Sequence, residues 1–271
     1  MVRLRRDRGV TWVSLNRPDK HNALSPALND AMLSTLVELE TDPDTEVLVL
    51  TGEGEAFSSG MDLKEYFRET DDDPARAEHA RWVMRQWAYY RLRRFPKPTI
   101  AAVNGWCFGG AFTPLVSCDL AVASEDATFG LSEVNWGILP AGSVTWDVAQ
   151  VMSYRDALYY ILTGKSFDAR RAVECGLVNE AVPADRLAGR VTELARDLQR
   201  LNPAVLRSAK EAFLGARELS YEAAYDYLRA KFVEMQARDV EQGRGRALEQ
   251  FLDRKSFRPG LEPYDRGGAE G

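Results

Sequence analysis

Short apolar runs alternate with helical periods along the first two thirds of the chain. Val10-Thr11-Trp12-Val13-Ser14-Leu15 alternates with the two-residue period of a strand, and Asn16-Arg17-Pro18-Asp19-Lys20 breaks it. A helical period opens at Ser25-Pro26, an N-cap residue followed by proline at the first helical position. Leu28, Met32, Leu36 and Leu39 share its apolar face. Val47-Leu48-Val49-Leu50 predicts a buried strand. A glycine turn follows, then an acidic stretch over residues 69–74 expected to be a mobile loop. A helix is expected over about 75–94, stopping before Pro96-Lys97-Pro98. Beyond it come a strand over 99–103, a second glycine turn, a helix over about 109–117 and a strand over 119–123. Strands alternating with helices define an α/β domain.

The pattern changes near residue 185. Strand signals stop, and amphipathic segments follow at 186–200, 203–216, 220–238 and 241–253. The chain divides into an α/β core over 1–200, which carries the chemistry, and a helical region over 201–271, which serves assembly and covers the site. Residues 260–271, rich in glycine and charge, are expected to fray.

Composition narrows the function classes. At 271 residues the chain is long enough to bury a large core. A net charge of −6 and the absence of a basic stripe argue against a nucleic-acid partner. No run of about 18 apolar residues predicts a membrane span, and no apolar core follows the charged residues 3–8 to make a signal peptide. Cys107, Cys118 and Cys175 are odd in number and sit among apolar residues, as expected for reduced thiols in the cytoplasm. Thr163-Gly164-Lys165-Ser166 ends like a phosphate loop, but Tyr159 stands where that loop needs glycine. There is no Gly-x-Ser-x-Gly elbow, and Gly52-Glu53-Gly54 lacks the third glycine of a dinucleotide fingerprint. The two histidines, His21 and His79, have no partners at metal-ligand spacing, so no metal is expected.

The candidate chemistry lies in two turns and one acid. Phe57-Ser58-Ser59-Gly60-Met61-Asp62 and Asn104-Gly105-Trp106-Cys107-Phe108-Gly109-Gly110 each follow a strand-like run. Glycine lets the backbone approach a ligand and present bare N–H groups, and a pair aimed at one carbonyl oxygen stabilises an enolate. Each turn alone also reads as an ordinary tight turn. Glu133 sits among Phe129, Leu131, Val134, Trp136 and Ile138. Desolvation there favours its neutral form and tunes it for acid–base work, although a solvent-facing glutamate fits the local sequence equally well.

These residues resemble the crotonase (enoyl-CoA hydratase/isomerase) superfamily over about residues 10–257. Gly60-Met61-Asp62, Asn104-Gly105 through Gly109-Gly110, and Phe129-Gly130-Leu131-Ser132-Glu133 carry the likeness. More narrowly, Met61 through Glu69, Val103 through Gly110 and Leu131 through Ile138 are similar to hydroxycinnamoyl-CoA hydratase-lyases. The resemblance implies a spiral of ββα units, with C-terminal helices that build trimers or hexamers. It implies a thioester oxygen held by the amides of Met61 and Gly110, and Glu133 as the acid–base group. Two-glutamate hydratases carry a second glutamate where this chain has Thr113. The hydratase-lyases carry a small hydroxyl residue there, which points away from simple fatty enoyl-CoA hydration. Tyr66 and Tyr227 would hold the ring hydroxyl, with Tyr225 the rival of Tyr227, and Trp136 would wall the pocket. Arg17, Lys20, Lys64, Lys255 and Phe257 are the candidate CoA contacts. No prosthetic group is implied, and coenzyme A enters only as part of the substrate. Another crotonase-fold hydratase or isomerase, or a non-catalytic scaffold of that fold, stays open as an alternative.

Overall fold

The computed structural model describes residues 1–267; the last four residues of the expected frayed tail lie outside it. The strands are β1 (Val2–Asp7), β2 (Val10–Leu15), β3 (Val47–Gly52), β4 (Ala56–Ser58), β5 (Thr99–Val103), β6 (Trp106–Phe108), β7 (Leu120–Ser124), β8 (Thr128–Gly130), β9 (Ser166–Asp168) and β10 (Glu180–Val182). Among the described residues they form two sheets, with orders β1-β2-β3-β5-β7-β10 and β4-β6-β8-β9. Pairing is parallel except for β1 with β2 and β8 with β9.

The chain repeats one move. A long buried strand of the first sheet (β3, β5, β7) is followed within a few residues by a three-residue strand of the second (β4, β6, β8). A helical segment then follows. Parallel neighbours require such crossovers, and the central strands β2, β3, β5 and β7 are buried along nearly their whole length, as expected of strands covered on both faces. β4 and β6 pair in parallel, so Gly60 and Gly109-Gly110, which follow them, lie at the same end of the small sheet.

The helices are α1 (Pro26–Thr41), α2 (Pro74–Met84), α3 (Phe112–Ser117), α4 (Val144–Val151), α5 (Tyr154–Thr163), α6 (Ala169–Glu174), α7 (Leu187–Gln199), α8 (Pro203–Ala216), α9 (Tyr221–Arg238) and α10 (Gly243–Leu248). Ser25 caps α1 by accepting from the Leu28 amide at 3.2 Å, as the Ser-Pro pair predicts. Leu28, Met32, Leu36 and Leu39 are fully buried, together with Val13, Leu15, Leu48, Leu50, Trp87 and Phe112. The acidic stretch over 69–74, expected to be a mobile loop, is instead a hydrogen-bonded turn. Its Thr70 hydroxyl is buried on the Tyr66 carbonyl at 2.7 Å, and Asp73 caps α2 through the Arg76 amide at 3.0 Å.

The chain forms two compact units, residues 1–95 with 99–193, and residues 96–98 with 194 onward. The division falls inside α7. In the second unit α8 and α9 are joined by Glu211, which takes Arg207, Lys231 and Arg238 at 2.9 Å each. The Tyr227 hydroxyl donates to the Glu211 carbonyl at 3.1 Å.

Candidate active site

Every contact that builds the site lies in the first unit. Gly60 has φ +92°, and a Cβ there would fall 2.6 Å from the Phe108 carbonyl oxygen and 3.3 Å from the Gly110 nitrogen. A Cβ on Gly110 would fall 2.8 Å from Met61 Sδ and 3.6 Å from the Met61 nitrogen. The two turns therefore touch, and only glycine permits the approach.

Neighbouring hydrogen bonds select which amides remain for a ligand. The Gly60 amide donates to Ser58 Oγ at 3.1 Å, and that hydroxyl donates to the Asn22 carbonyl at 2.9 Å. A bridge to Leu24 uses the Leu24 amide on the Gly60 carbonyl, 2.8 Å, and the Asp62 amide on the Leu24 carbonyl, 3.2 Å. Met61 and Gly110 donate none of the backbone hydrogen bonds of these turns. Gly110 lies in a 3-10 turn, Gly109–Ala111, that runs into α3, and N–H groups at a helix start have no partner within the helix.

Two asparagines, the buried Asn22 and the half-buried Asn104, lock the turns. The Asn22 side chain accepts from the Arg17 amide at 2.8 Å and donates to the Glu53 and Ala56 carbonyls at 2.9 and 2.7 Å. Asn104 accepts from the Gly52 amide at 3.2 Å and donates to the Gly54 carbonyl at 2.9 Å. In sequence both read as loop residues; Gly105 next to Asn104 was the only signal of a fixed turn, and Asn22 has no neighbouring glycine.

Glu133 begins a short 3-10 turn, Glu133–Trp136, closed by Gly137 in the left-handed region at φ +73°. Its carboxylate faces the second glycine turn: a Cβ on Gly109, itself at φ +50°, would lie 3.1 Å from Glu133 Oε1. Burial pushes its carboxyl above the usual range, and its Oε2 is buried without a hydrogen-bond partner. The apolar flank differs from expectation. Phe129 and Leu131 are buried, but Trp136 is 66% exposed and Ile138 is exposed too, because the 3-10 turn rotates them outward. Trp136 is not a buried wall of the site in this chain.

The other candidates separate. Thr113, one helical turn beyond Gly110, is buried and shares a 3.1 Å hydrogen bond with Ser143 Oγ. Tyr66 follows the first turn on a helical segment, Leu63–Arg68. Burial raises its phenol, with the Arg81 charge opposing and the Glu78 charge assisting. Arg17, a candidate phosphate contact, is buried behind the first turn. It donates to the Ala23 carbonyl at 2.8 Å, to Asp62 at 3.1 Å and to Glu65 at 2.7 Å. Burial alone pushes the Asp62 carboxyl up, but the Glu65 amide and the Arg17 guanidinium outweigh it and hold the group below the usual carboxylate range. Lys20 is exposed beside His21, whose ring lies 4.9 Å from that of Trp106, and Lys64 is exposed near Glu69 at 3.7 Å. In the second unit Lys255 lies over the Phe251 ring at 5.8 Å, and Phe257 meets the same ring at 6.5 Å. Sequence reading missed Asp147, a fully buried carboxyl on α4. The signal was available: Val144, Asp147 and Val148 form an i, i+3, i+4 buried face with an acid in the middle.

Two amide-bearing turns facing one carboxylate, on a ββα core, define an enzyme of the crotonase fold. The chain matches the enoyl-CoA hydratase/isomerase family over residues 5–258, and it belongs to that family. It is 52% identical to the hydroxycinnamoyl-CoA hydratase-lyase of Pseudomonas fluorescens, over 98% of this chain and 96% of that protein. Among solved structures it is similar to an enoyl-CoA hydratase of Bacillus anthracis, with TM-score 0.85 and 28% identity over 98% of this chain and 99% of that one. An enoyl-CoA hydratase subunit of Geobacillus kaustophilus gives TM-score 0.84 and 31% identity, over 95% and 96%.

Proposed function

We propose that the chain hydrates a 4-hydroxycinnamoyl-CoA thioester and cleaves the product to an aromatic aldehyde and acetyl-CoA. The observation that carries this reading is the meeting of the Met61 and Gly110 turns beside Glu133, joined to the 52% identity with a hydratase-lyase. The thioester oxygen sits between the Met61 and Gly110 amides, which act as an oxyanion hole. Glu133 takes a proton from water as the hydroxide adds to Cβ, and the electron pair moves onto the thioester oxygen. The enolate collapses as Glu133 returns that proton to Cα. Glu133 then takes the proton of the new β-hydroxyl, and the Cα–Cβ bond breaks. The electron pair again enters the enolate, the aldehyde leaves, and protonation of Cα gives acetyl-CoA. A carboxyl raised by burial suits both steps, since it must accept and return a proton near neutral pH.

The Tyr66 phenol is the substrate contact this geometry supports, following the first turn on one helical segment. A site that binds a ring hydroxyl rejects the analogue lacking it, because its own polar group is left unpaired. Lys20 and Lys64 serve the CoA phosphates. Arg17, buried on Asp62 and Glu65, holds the turn instead. Resemblance, rather than geometry, assigns Tyr227, Lys255 and Phe257 to the substrate. The same reading makes the protein a cytoplasmic trimer or hexamer, with the exposed Phe213, Phe232 and Val233 of the second unit as the apolar surface for assembly.

Feruloyl-CoA incubated with the protein should give vanillin and acetyl-CoA in equal amounts. Glu133→Gln should lower the rate by about 10²–10⁴-fold with the fold intact. Rapid hydration of crotonyl-CoA with no aldehyde from feruloyl-CoA would reject the lyase reading and favour an ordinary hydratase.

A further inference from the structure

Among the described residues, Asp147 is the one fully buried carboxyl, and the proposed reaction leaves it without a role. It is 0% exposed, and neither of its oxygens has a hydrogen bond of good geometry. A buried, unpaired carboxyl is costly, so its position calls for a physical reason. Its surroundings supply one. The carboxyl faces the Thr113 and Ser143 hydroxyls, which favour its charge, and those two hydroxyls are 3.1 Å apart. Its amide donates to the Ser143 carbonyl at 2.7 Å, which fixes the start of α4 against Ser143. The charged side chain whose field reaches it is Arg93, itself seated over the Trp146 ring at 4.9 Å. Thr113 stands one helical turn beyond Gly110. Ser143 is half-exposed, so the three polar groups run from a sealed interior to the surface.

Each hydroxyl carries one proton and two lone pairs, so a chain of them has a direction. An ionised Asp147 accepts, drawing the hydroxyl protons inward and leaving lone pairs toward the acyl group. A protonated Asp147 donates, and the hydroxyl protons turn outward. We propose that Asp147 is a positioning residue that sets the proton direction of the Thr113–Ser143 pair, and so whether that pair donates or accepts at the acyl group and its attacking water. This rests on the proposed hydratase-lyase reading and adds a second proton-ordering element beside Glu133. Burial holds the Asp147 carboxyl up at about 6, so the direction changes within the working pH range.

The test is the pH profile of kcat on feruloyl-CoA, measured from pH 5 to 8. The unaltered protein should show two ionisations, that of Glu133 and one near 6. Asp147→Asn should lose the second and lower kcat by about tenfold to a hundredfold, with KM changed less than about twofold. Thr113→Val, which leaves Asp147 in place, should lose the same ionisation, and Thr113→Ser should keep it. The double variant should be no slower than the worse single one. If Asp147→Asn does not fold, Thr113→Val and Thr113→Ser carry the test. An active enzyme whose second ionisation survives both Asp147→Asn and Thr113→Val overturns this inference alone. If the unaltered protein makes no aldehyde, the hydratase-lyase reading fails first.

Discussion

Gly109→Ala separates contact from strain at the centre of the site. The residue lies at φ +50°, where a side chain costs about 1–2 kcal/mol whatever surrounds it. The added methyl would also meet Glu133 Oε1 at 3.1 Å. The far end of a flexible side chain yields before a backbone does, so the carboxylate should move by a few tenths of an ångström. Misplacement of a reacting group by about 1 Å can cost about a hundredfold, so this smaller shift should lower kcat/KM by about three- to tenfold. The methyl also removes solvent from a carboxyl already raised by burial, which raises it further. In the proposed mechanism Glu133 is the base, so activity is lost as pH falls through its pKa, and that limb should move to higher pH. Gly142→Ala is the control: its φ is +66°, and nothing lies within 4 Å of the added methyl. It should lose comparable stability in urea and leave the limb in place. Identical pH profiles for Gly109→Ala and the unaltered protein would refute the placement of Glu133 against the second turn.

Three further outcomes follow from the same contacts. Gly60→Ala should be worse than Gly109→Ala, since its methyl meets a backbone carbonyl oxygen at 2.6 Å and the turns must part; a melting temperature within a degree of the parent's would contradict this. Asp147→Asn should change the pH dependence of stability. Burial raises the folded-state carboxyl from 3.8 to about 6, so between those values folding takes up a proton and stability falls as pH rises. That span corresponds to about 3 kcal/mol, which the asparagine variant should regain at pH 7.5 but not at pH 4; equal gains at both would exclude the linkage. Arg17→Met should destabilise by about 3–5 kcal/mol by stranding Asp62, whereas Lys20→Ala should leave urea unfolding unchanged and raise KM for the thioester. The reverse pattern would return Arg17 to the phosphates.

What the sequence revealed depended on length. β2, β3, β5 and β7 are five- or six-residue buried runs, and they stand out from the hydrophobic pattern alone. β4, β6 and β8 are three residues each, too short for any period to register, yet they form the second sheet that aims the glycine turns. So the turns were legible as motifs, while their convergence was not. Two helices of the second unit, α8 and α9, carry a readable start signal because each has a side-chain cap: Asn202 accepts from the Ala204 amide at 2.9 Å, and Ser220 from the Ala223 amide at 3.4 Å. The ion pairs of Arg17 were not legible in the sequence, for a non-local reason. Its partners Asp62 and Glu65 lie 45 and 48 positions away, and no local pattern marks a cation that folding will bury.

On the proposed reading, the thioester oxygen meets amides and not a cation, and Arg17 bears on why. Positive charge lies beside the first turn, but Asp62 and Glu65 neutralise it. A bare guanidinium at that oxygen would stabilise the enolate, yet it would also favour the ionised form of Glu133 and weaken it as a base. Amide dipoles stabilise charge only as it develops and leave the nearby carboxyl governed by desolvation. The causes acting on Glu133 fit this division: burial raises it, its own backbone amide opposes that weakly, and no cation contributes. On the proposed reading, oxyanion stabilisation and a basic glutamate then sit within one contact distance, which a charged clamp in the same place would make incompatible.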